Sequence, residues 1–483
     1  MTTILLHIFS AVLFMLYSFS PAEVPPPEPV YPLPSEAQLA WHEMEMNAFI
    51  HFTINTFTDL EWGMGSESPA LFNPHQADPE QWVTVLRETG FKGVILTCKH
   101  HDGFCLWPSA FTEHSVKNSP FQEGKGDLVK DLSTACQQNG LKFGVYLSPW
   151  DRNHARYGMP EYITYYRNQL KELFTQYGPV FEMWFDGANG GTGYYGGANE
   201  KRSIDGRNYY DWPKTLDLVR SLQPDVIFFS DAGPGVRWVG NERGIAGETN
   251  WSCITPDTLY AGKPGIEKLL NEGDENGTSW IPAETDVSIR PGWFYHEKEN
   301  SRVKSPAALF EIYLTSVGRG SLLLLNVPPD KRGLIHENDI KSLRGFRELL
   351  DREFKTNLAD RALISASTVR GGASRYGADK VNDGNKETYW ATDDNLATGT
   401  LEIDFGTVKT LNYILLQEYI KLGQRVKSFN IEVLRNGKWE RAAEATTIGY
   451  KRILRIKPVE TSRVRINITT SRACPLISNV EIF

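Results

Sequence analysis

The sequence predicts an α/β chain: a (β/α)8-like TIM barrel followed by an all-β antiparallel sandwich. Two observations carry this expectation. Between about residues 40 and 345, short continuous apolar runs alternate with helical patterns, which implies parallel strands buried on both faces. Beyond residue 345 the segments become short and alternate apolar with polar, the pattern of strands with one wet face. A barrel suits a unit of about 300 residues. A doubly wound open sheet is the runner-up, but no GxGxxG or GxxxxGKS/T follows a strand, so its usual nucleotide-binding rationale is missing.

The elements follow in order. Asp78-Pro79-Glu80 opens a helical stretch, with Asp at the cap and Pro in the first turn. Residues 93–97 (GVILT) read as a buried strand. The next helix starts at Asp127 and stops at Asn139-Gly140, where Gly ends the pattern. Residues 143–147 are a strand, 160–177 a helix, 181–185 a strand, 212–222 a helix and 226–229 a strand. Residues 322–325 form a last apolar strand ending at Asn326, and a charged helix over 336–354 caps the barrel.

In the second unit, residues 400–405, 429–434 and 463–468 alternate, and Asn436-Gly437 marks a hairpin turn. The expected division is a barrel over 23–352 and a sandwich over 353–483. Ahead of both, residues 4–18 form an apolar run that is short for a membrane span. It suits a secretory signal peptide over residues 1–22, with Ser20-Pro21-Ala22 as the small-residue cleavage site. The expectation is an exported chain, periplasmic or secreted, with no membrane span. Cys98, Cys105, Cys136, Cys253 and Cys474 are irregularly spaced and form no CxxC, which fits neither a disulfide framework nor a thiolate zinc site.

Lys and Arg number 51 against 59 Asp and Glu, a net charge of −8, which argues against a nucleic-acid partner held by phosphate contacts. Trp (13) outnumbers both His (10) and Met (7), and eleven of the Trp lie between Trp41 and Trp293. Flat apolar faces are therefore concentrated in the barrel.

In barrel enzymes the active site forms at the C-terminal strand ends. Those ends carry His51, then Glu61-Trp62; His100-His101-Asp102; Tyr146 and Trp150-Asp151; Asp186; Asp231; and Arg237, Trp238 and Glu242. Such a set describes a sugar pocket, because hydroxyls need donors and acceptors while the ring's C–H face packs on Trp. His51, His100, His101 and Asp186 could ligate a metal. HExxH is absent, however, and adjacent His100 and His101 point apart if they continue a strand. No GxSxG elbow exists for a serine nucleophile. Paired carboxylates remain. Asp186 ends an aromatic strand, and Glu242 sits in a Gly- and Trp-bearing loop where burial beside Trp238 would raise its pKa.

Phe49-Ile50-His51-Phe52, Lys99-His100-His101-Asp102-Gly103-Phe104 and Met183-Trp184-Phe185-Asp186-Gly187 resemble the glycoside hydrolase family 29 α-L-fucosidases. Segments 237–242 (RWVGNE) and 290–295 (RPGWFY) look like the subgroup that prefers α-1,3/1,4-linked fucose. The resemblance spans about residues 36–345. It implies a retaining exo-α-L-fucosidase acting on terminal fucose of an oligosaccharide or glycoprotein glycan, without cofactor or catalytic metal. Asp186 would be the nucleophile and Glu242 the acid/base, with Glu248 and Glu284 as rivals for the second role. His51, His100 and His101 would hydrogen-bond fucose hydroxyls. Glu61, Trp62, Tyr146, Trp184 and Trp293 would line the pocket, with Arg237 as a further contact. A non-catalytic fucose-binding protein and a metal-dependent barrel hydrolase are the competing readings.

Residues 378–385 (ADKVNDGN) with Thr388-Tyr389-Trp390-Ala391 resemble a discoidin-type (F5/8 C) carbohydrate-binding sandwich. That resemblance implies a structural calcium in the Asp/Gly loop, with Asp383 as an oxygen ligand. Bracing of the barrel is the expected role of this domain, ahead of independent sugar binding.

Overall fold

The computed structural model describes residues 24–483. The expected signal peptide and its cleavage site lie outside the described residues. Eight parallel strands close a barrel in sequential order: β1 Met46–Ile50, β2 Gly93–Lys99, β3 Lys142–Leu147, β4 Glu182–Trp184, β5 Ile227–Ser230, β6 Val236–Trp238, β7 Ala283–Ser288 and β8 Leu322–Asn326. Strand β1 pairs with both β2 and β8 and so completes the ring.

Strand alternation sorts the apolar residues into two cores. Phe49, Ile95, Tyr146, Trp184, Phe229, Val236 and Leu324 point inward and fill the barrel. Ala48, Val94, Leu96, Val145, Met183, Phe228 and Leu325 point outward and pack under the helices. This double burial is why most of the strands read as unbroken apolar runs.

The helices start where local chemistry supplies a cap. Asp78 accepts from the Gln81 N–H at 3.1 Å ahead of helix Pro79–Glu88, and Asp127 from the Lys130 N–H at 3.0 Å ahead of Leu128–Asn139. Gly140 ends the latter with φ +73°, a left-handed value that suits glycine.

The ring of helices is incomplete, and this departs from a regular repeat. Only residues 231–235 join β5 to β6, with no helix between them, and one short α-helix, Glu267–Glu272, lies between β6 and β7 after a single 3-10 turn at Pro256–Thr258. Helix Glu36–His42, which precedes β1, seals the N-terminal end of the barrel on this side. Gln38 Nε2 donates to the Gly235 and Trp280 carbonyls, each at 2.7 Å. Trp41 enters the barrel interior and is 1% exposed.

The second unit is a seven-stranded antiparallel sandwich of β9 Leu363–Ala366, β10 Trp390–Ala391, β11 Gly399–Glu418, β12 Val426–Arg435, β13 Lys438–Ala445, β14 Arg452–Ser471 and β15 Leu476–Ile482. The three segments expected from alternation fall in β11, β12 and β14. Leu401 and Ile403 are fully buried while Glu402 pairs outward with Arg465. Asn436 (φ +50°) and Gly437 (φ +77°) make the expected hairpin between β12 and β13.

The two units share a core. Phe354, at the end of the capping helix Glu337–Glu353, lies 5.9 Å from Phe310, 5.4 Å from Tyr413 and 5.1 Å from Phe483 between ring centroids. The Pro-rich segment after residue 23, grouped with the barrel on sequence, lies along the sandwich. Arg370 Nε donates to the Pro25 carbonyl at 2.8 Å, and the Val30 N–H to the Leu422 carbonyl at 2.9 Å.

Arg237 corrects a sequence expectation. Its neighbours Val236 and Trp238 face the barrel interior, so alternation sends Arg237 outward, away from any sugar. It is fully buried there. The guanidinium donates to the carbonyls of Leu270 (2.8 Å), Ile281 and Trp251 (3.0 Å) and to Asn250 Oδ1 (3.0 Å).

Replacing Arg237 by Ala leaves these buried acceptors without donors. The expected cost is about 3 kcal/mol of unfolding free energy, read by denaturant titration. Truncation after Glu353 uncovers Phe310 and Tyr313, which pack in the shared core. The shortened chain is expected to bind a hydrophobic dye and to melt well below the full chain in calorimetry.

Candidate active site

A cavity of about 420 Å³ opens at the C-terminal ends of the barrel strands. Its walls include Phe49, His51, Glu61, Trp62, His100, His101, Trp184, Asp186, Asp231, Trp238, Glu242, Asp286 and Trp293. Strand ends β1, β2, β4, β5, β6 and β7 thus all contribute, together with the loops that follow them.

Asp186 stands two residues beyond β4. Its Oδ2 accepts from the Tyr146 hydroxyl at 3.0 Å and its Oδ1 from the Ala188 N–H at 2.6 Å. Burial pushes its pKa up, and these two donors oppose that shift by favouring the anion. Gly187 follows for a steric reason. A Cβ there would come within 2.2 Å of Asp231 Oδ2.

Burial keeps His51, His100 and His101 neutral, and the protons of His51 and His101 are placed by their partners. Ser148 Oγ gives its proton to the Trp150 carbonyl at 2.6 Å, so it accepts from His101 Nδ1 at 2.7 Å. That leaves His101 Nε2 as a bare acceptor, 3.9 Å from Asp186 Oδ2. Asn326 donates through Nδ2 to Ser288 and the Trp293 carbonyl, so its Oδ1 accepts from His51 Nδ1 at 2.8 Å. Burial lowers the pKa of His51 and of His101 to about 3, and lowers that of His100 as well.

His100 and His101 depart from the expectation that they point apart. Strand β2 stops at Lys99, the chain turns, and both rings line the cavity with centroids 4.1 Å apart. Even so, among the described residues no group of three or more His, Cys, Asp or Glu is placed to hold a metal ion.

Of the three candidates for the second carboxylate, Glu242 lines the cavity. It is exposed at the mouth and accepts from Trp293 Nε1 at 3.3 Å. The surrounding walls raise its pKa by desolvation, and the charges of Asp186 and Glu61 add to this against the Trp293 N–H. Glu248 lies instead at the seam with the sandwich, 80% exposed and 3.5 Å from Arg319. Glu284 lies inside the barrel, fully buried, accepting from Trp184 Nε1 at 2.9 Å.

Glu61 both lines the cavity and clamps the far loop. It accepts from the Trp293 N–H at 2.8 Å and the Phe294 N–H at 3.3 Å, and meets His296 Nε2 at 2.6 Å. Trp62 is half exposed and lies edge-on to His101 and Trp150.

Two further carboxyls belong to the site. Asp231 accepts from the Gly262 N–H at 2.7 Å, and burial with the charge of Asp186 raises its pKa to about 6. Asp286 accepts from Trp238 Nε1 at 2.8 Å, and its burial pushes its pKa well up. Asp231 stood at an expected strand end but in no motif. Asp286 lay in a strand whose polar sequence (AETDVS) hid it.

In the C-terminal domain, Asp383 Oδ1 accepts from the Asn385 N–H at 2.9 Å and Oδ2 from the Thr388 hydroxyl at 2.8 Å. Both oxygens thus close their own turn. Among the described residues no group of three or more His, Cys, Asp or Glu gathers around Asp383.

Comparison with known proteins agrees with this geometry. Residues 30–353 match the α-L-fucosidase family model and residues 364–480 the F5/8 type C domain. The chain is 43% identical to α-L-fucosidase 1 of Arabidopsis thaliana over 467 residues, covering 95% of this chain and 89% of that one. The structure of a glycoside hydrolase 29 family member from an unknown rumen bacterium superposes with a TM-score of 0.85 at 45% identity, covering 95% of this chain and 78% of that one. A Ruminococcus gnavus GH29 fucosidase in complex with fucose superposes at 0.86 and 34% identity, covering 95% and 96%. With its barrel and sandwich both matched, the chain belongs to the glycoside hydrolase family 29 α-L-fucosidases.

Proposed function

We propose that this fucosidase is a retaining exo-enzyme that removes terminal α-1,3- or α-1,4-linked fucose through a covalent fucosyl intermediate. The observation that carries the mechanism is that Asp186 and Glu242 share one cavity with opposite proton needs. Asp186, held by Tyr146 and Ala188, is the nucleophile that attacks the anomeric carbon. Glu242 gives its proton to the glycosidic oxygen as that bond breaks. In the second step Glu242 takes a proton from water, whose oxygen displaces Asp186.

The walls suit the charge that develops. Five carboxyl groups line the cavity, and no Lys or Arg side chain lines it with them. The ionised members, Asp186 foremost, favour an oxocarbenium-like transition state. The bare Nε2 atoms of His51 and His101 accept from fucose hydroxyls, while Trp184 and Trp293 offer apolar faces to the ring and its methyl group.

The linkage preference rests on segments 237–242 and 290–295, which meet where Trp293 donates to Glu242. Export rests on the apolar run 4–18 and on Ser20-Pro21-Ala22.

Asp186→Ala is expected to lower kcat by several orders of magnitude on an aryl α-L-fucoside, with azide restoring turnover as β-fucosyl azide. Normal turnover in that variant removes Asp186 from the role. The pH profile of kcat/KM is expected to be a bell. Activity falls on the acid side as Asp186 gains a proton, and on the alkaline side as Glu242 loses one. With an activated leaving group, Glu242→Gln should abolish the alkaline limb. A Lewis-type trisaccharide should release fucose faster than an α-1,2-linked fucoside, and equal rates overturn the linkage reading. N-terminal sequencing of exported protein should begin near residue 23, whereas a cytosolic chain retaining Met1 overturns export.

A further inference from the structure

Two buried glutamates inside the barrel take no part in the chemistry above. Glu182 on β4 and Glu284 on β7 are both 0% exposed. Their carboxyl groups face one another across the interior closely enough for each to act on the other's ionisation. Trp41 Nε1 donates to Glu182 Oε2 at 3.2 Å, and Trp184 Nε1 to Glu284 Oε1 at 2.9 Å. The remaining oxygens, Glu182 Oε1 and Glu284 Oε2, have no protein N–H or O–H to accept from.

The groups that act on the pair are Trp41 from the helix before β1, Trp184 on β4, and Asp286 further along β7. His42, next to Trp41, is held neutral by burial, with its pKa lowered to about 3. Among the described residues no Lys or Arg is paired with either glutamate. Two buried carboxylates in contact, with no cation, cannot both be ionised. A proton shared by the two carboxyls turns such a clash into a hydrogen bond.

Position gives this pair its consequence. Trp184 lines the sugar cavity, stacks on Phe229 at 4.0 Å, and touches Tyr146, the donor to Asp186. Trp41 lies at the sealed end of the barrel. We propose that Glu182 and Glu284 share a proton and act as a positioning pair that fixes Trp184 beneath the bound sugar. The statement about sugar rests on the fucosidase reading, whereas the shared proton does not.

Burial raises the pKa of both carboxyls, that of Glu182 to about 7. The stability they contribute is therefore present below the ordinary glutamate range and is lost as pH rises through neutrality. The test compares the parent with Glu284→Gln and Glu284→Leu. Glutamine keeps an acceptor for Trp184 and a permanent donor for Glu182. Leucine supplies neither.

The parent's melting temperature is expected to fall between pH 5 and 9, and Glu284→Gln to flatten that slope. Identical slopes overturn the shared proton. On an aryl α-L-fucoside, or by calorimetric binding of fucose, Glu284→Leu should raise KM or Kd about tenfold, as for one lost hydrogen bond, with kcat changing less. Glu284→Gln should stay within about twofold of the parent, since the bond survives. Equal weakening in both variants, or none in either, overturns the positioning role. Should Glu284→Leu fail to fold, the Glu284→Gln slope still decides. Absence of turnover and of fucose binding in the parent would sink the fucosidase reading and leave the melting comparison intact.

Discussion

Glu61, Asp186, Asp231, Glu242 and Asp286 line one cavity without a lysine or arginine among its walls. Crowded carboxylates repel one another and the buried ones lose hydration, so such a cluster is costly unless donors hold it. Each of these groups has one or more. Tyr146 and Ala188 serve Asp186, Gly262 serves Asp231, Trp238 serves Asp286, and the Trp293 loop serves Glu242 and Glu61. Apart from His296, which Glu61 and Asp59 hold toward its charged form, the donors are neutral and keep the side chains in place without cancelling their charge. The charge of Asp186 is thereby left uncancelled within the cavity.

This arrangement accounts for much of the tryptophan excess. An indole offers a large apolar body with a single N–H and no acceptor. It can pack a barrel interior and still donate to a carboxyl. Trp41, Trp184, Trp238 and Trp293 each do this, to Glu182, Glu284, Asp286 and Glu242. Trp107 does the same outside the barrel, with Glu172 at 2.9 Å.

The strands that could be read from sequence were those whose two faces are both apolar. β6 has three residues and β7 alternates Glu284 and Asp286 with small or apolar residues, so neither stands out by hydropathy. Asp286 was hidden for that reason. The family motifs located Asp186, Glu242 and the histidines, because those segments lie at the ends of readable strands or carry distinctive neighbours. They could not orient Arg237, whose direction depends on the register of the unread strand β6. Nor could they show that β2 stops at Lys99 and lets His100 and His101 share one wall.

Arg237 and the sandwich turn out to serve the same loop. The segment from Val239 to Ser252 carries Glu242 and is tied down at its far end. Arg237 holds Asn250 and the Trp251 carbonyl. From the sandwich, Thr447 accepts from the Asn250 N–H at 2.9 Å, Gln424 from the Ser252 N–H at 2.8 Å, and Arg452 donates to the Glu248 carbonyl at 2.6 Å. No helix between β5 and β6 shares this work, and the helix after the loop has only six residues. A long loop with a proposed acid/base at its tip needs rigid ends, since proton transfer depends on sub-ångström placement. The C-terminal domain supplies that rigidity through backbone contacts beneath the loop, while Trp293 fixes its tip from the opposite side. Through these contacts the β-sandwich braces the base of the loop that carries Glu242 to the barrel mouth.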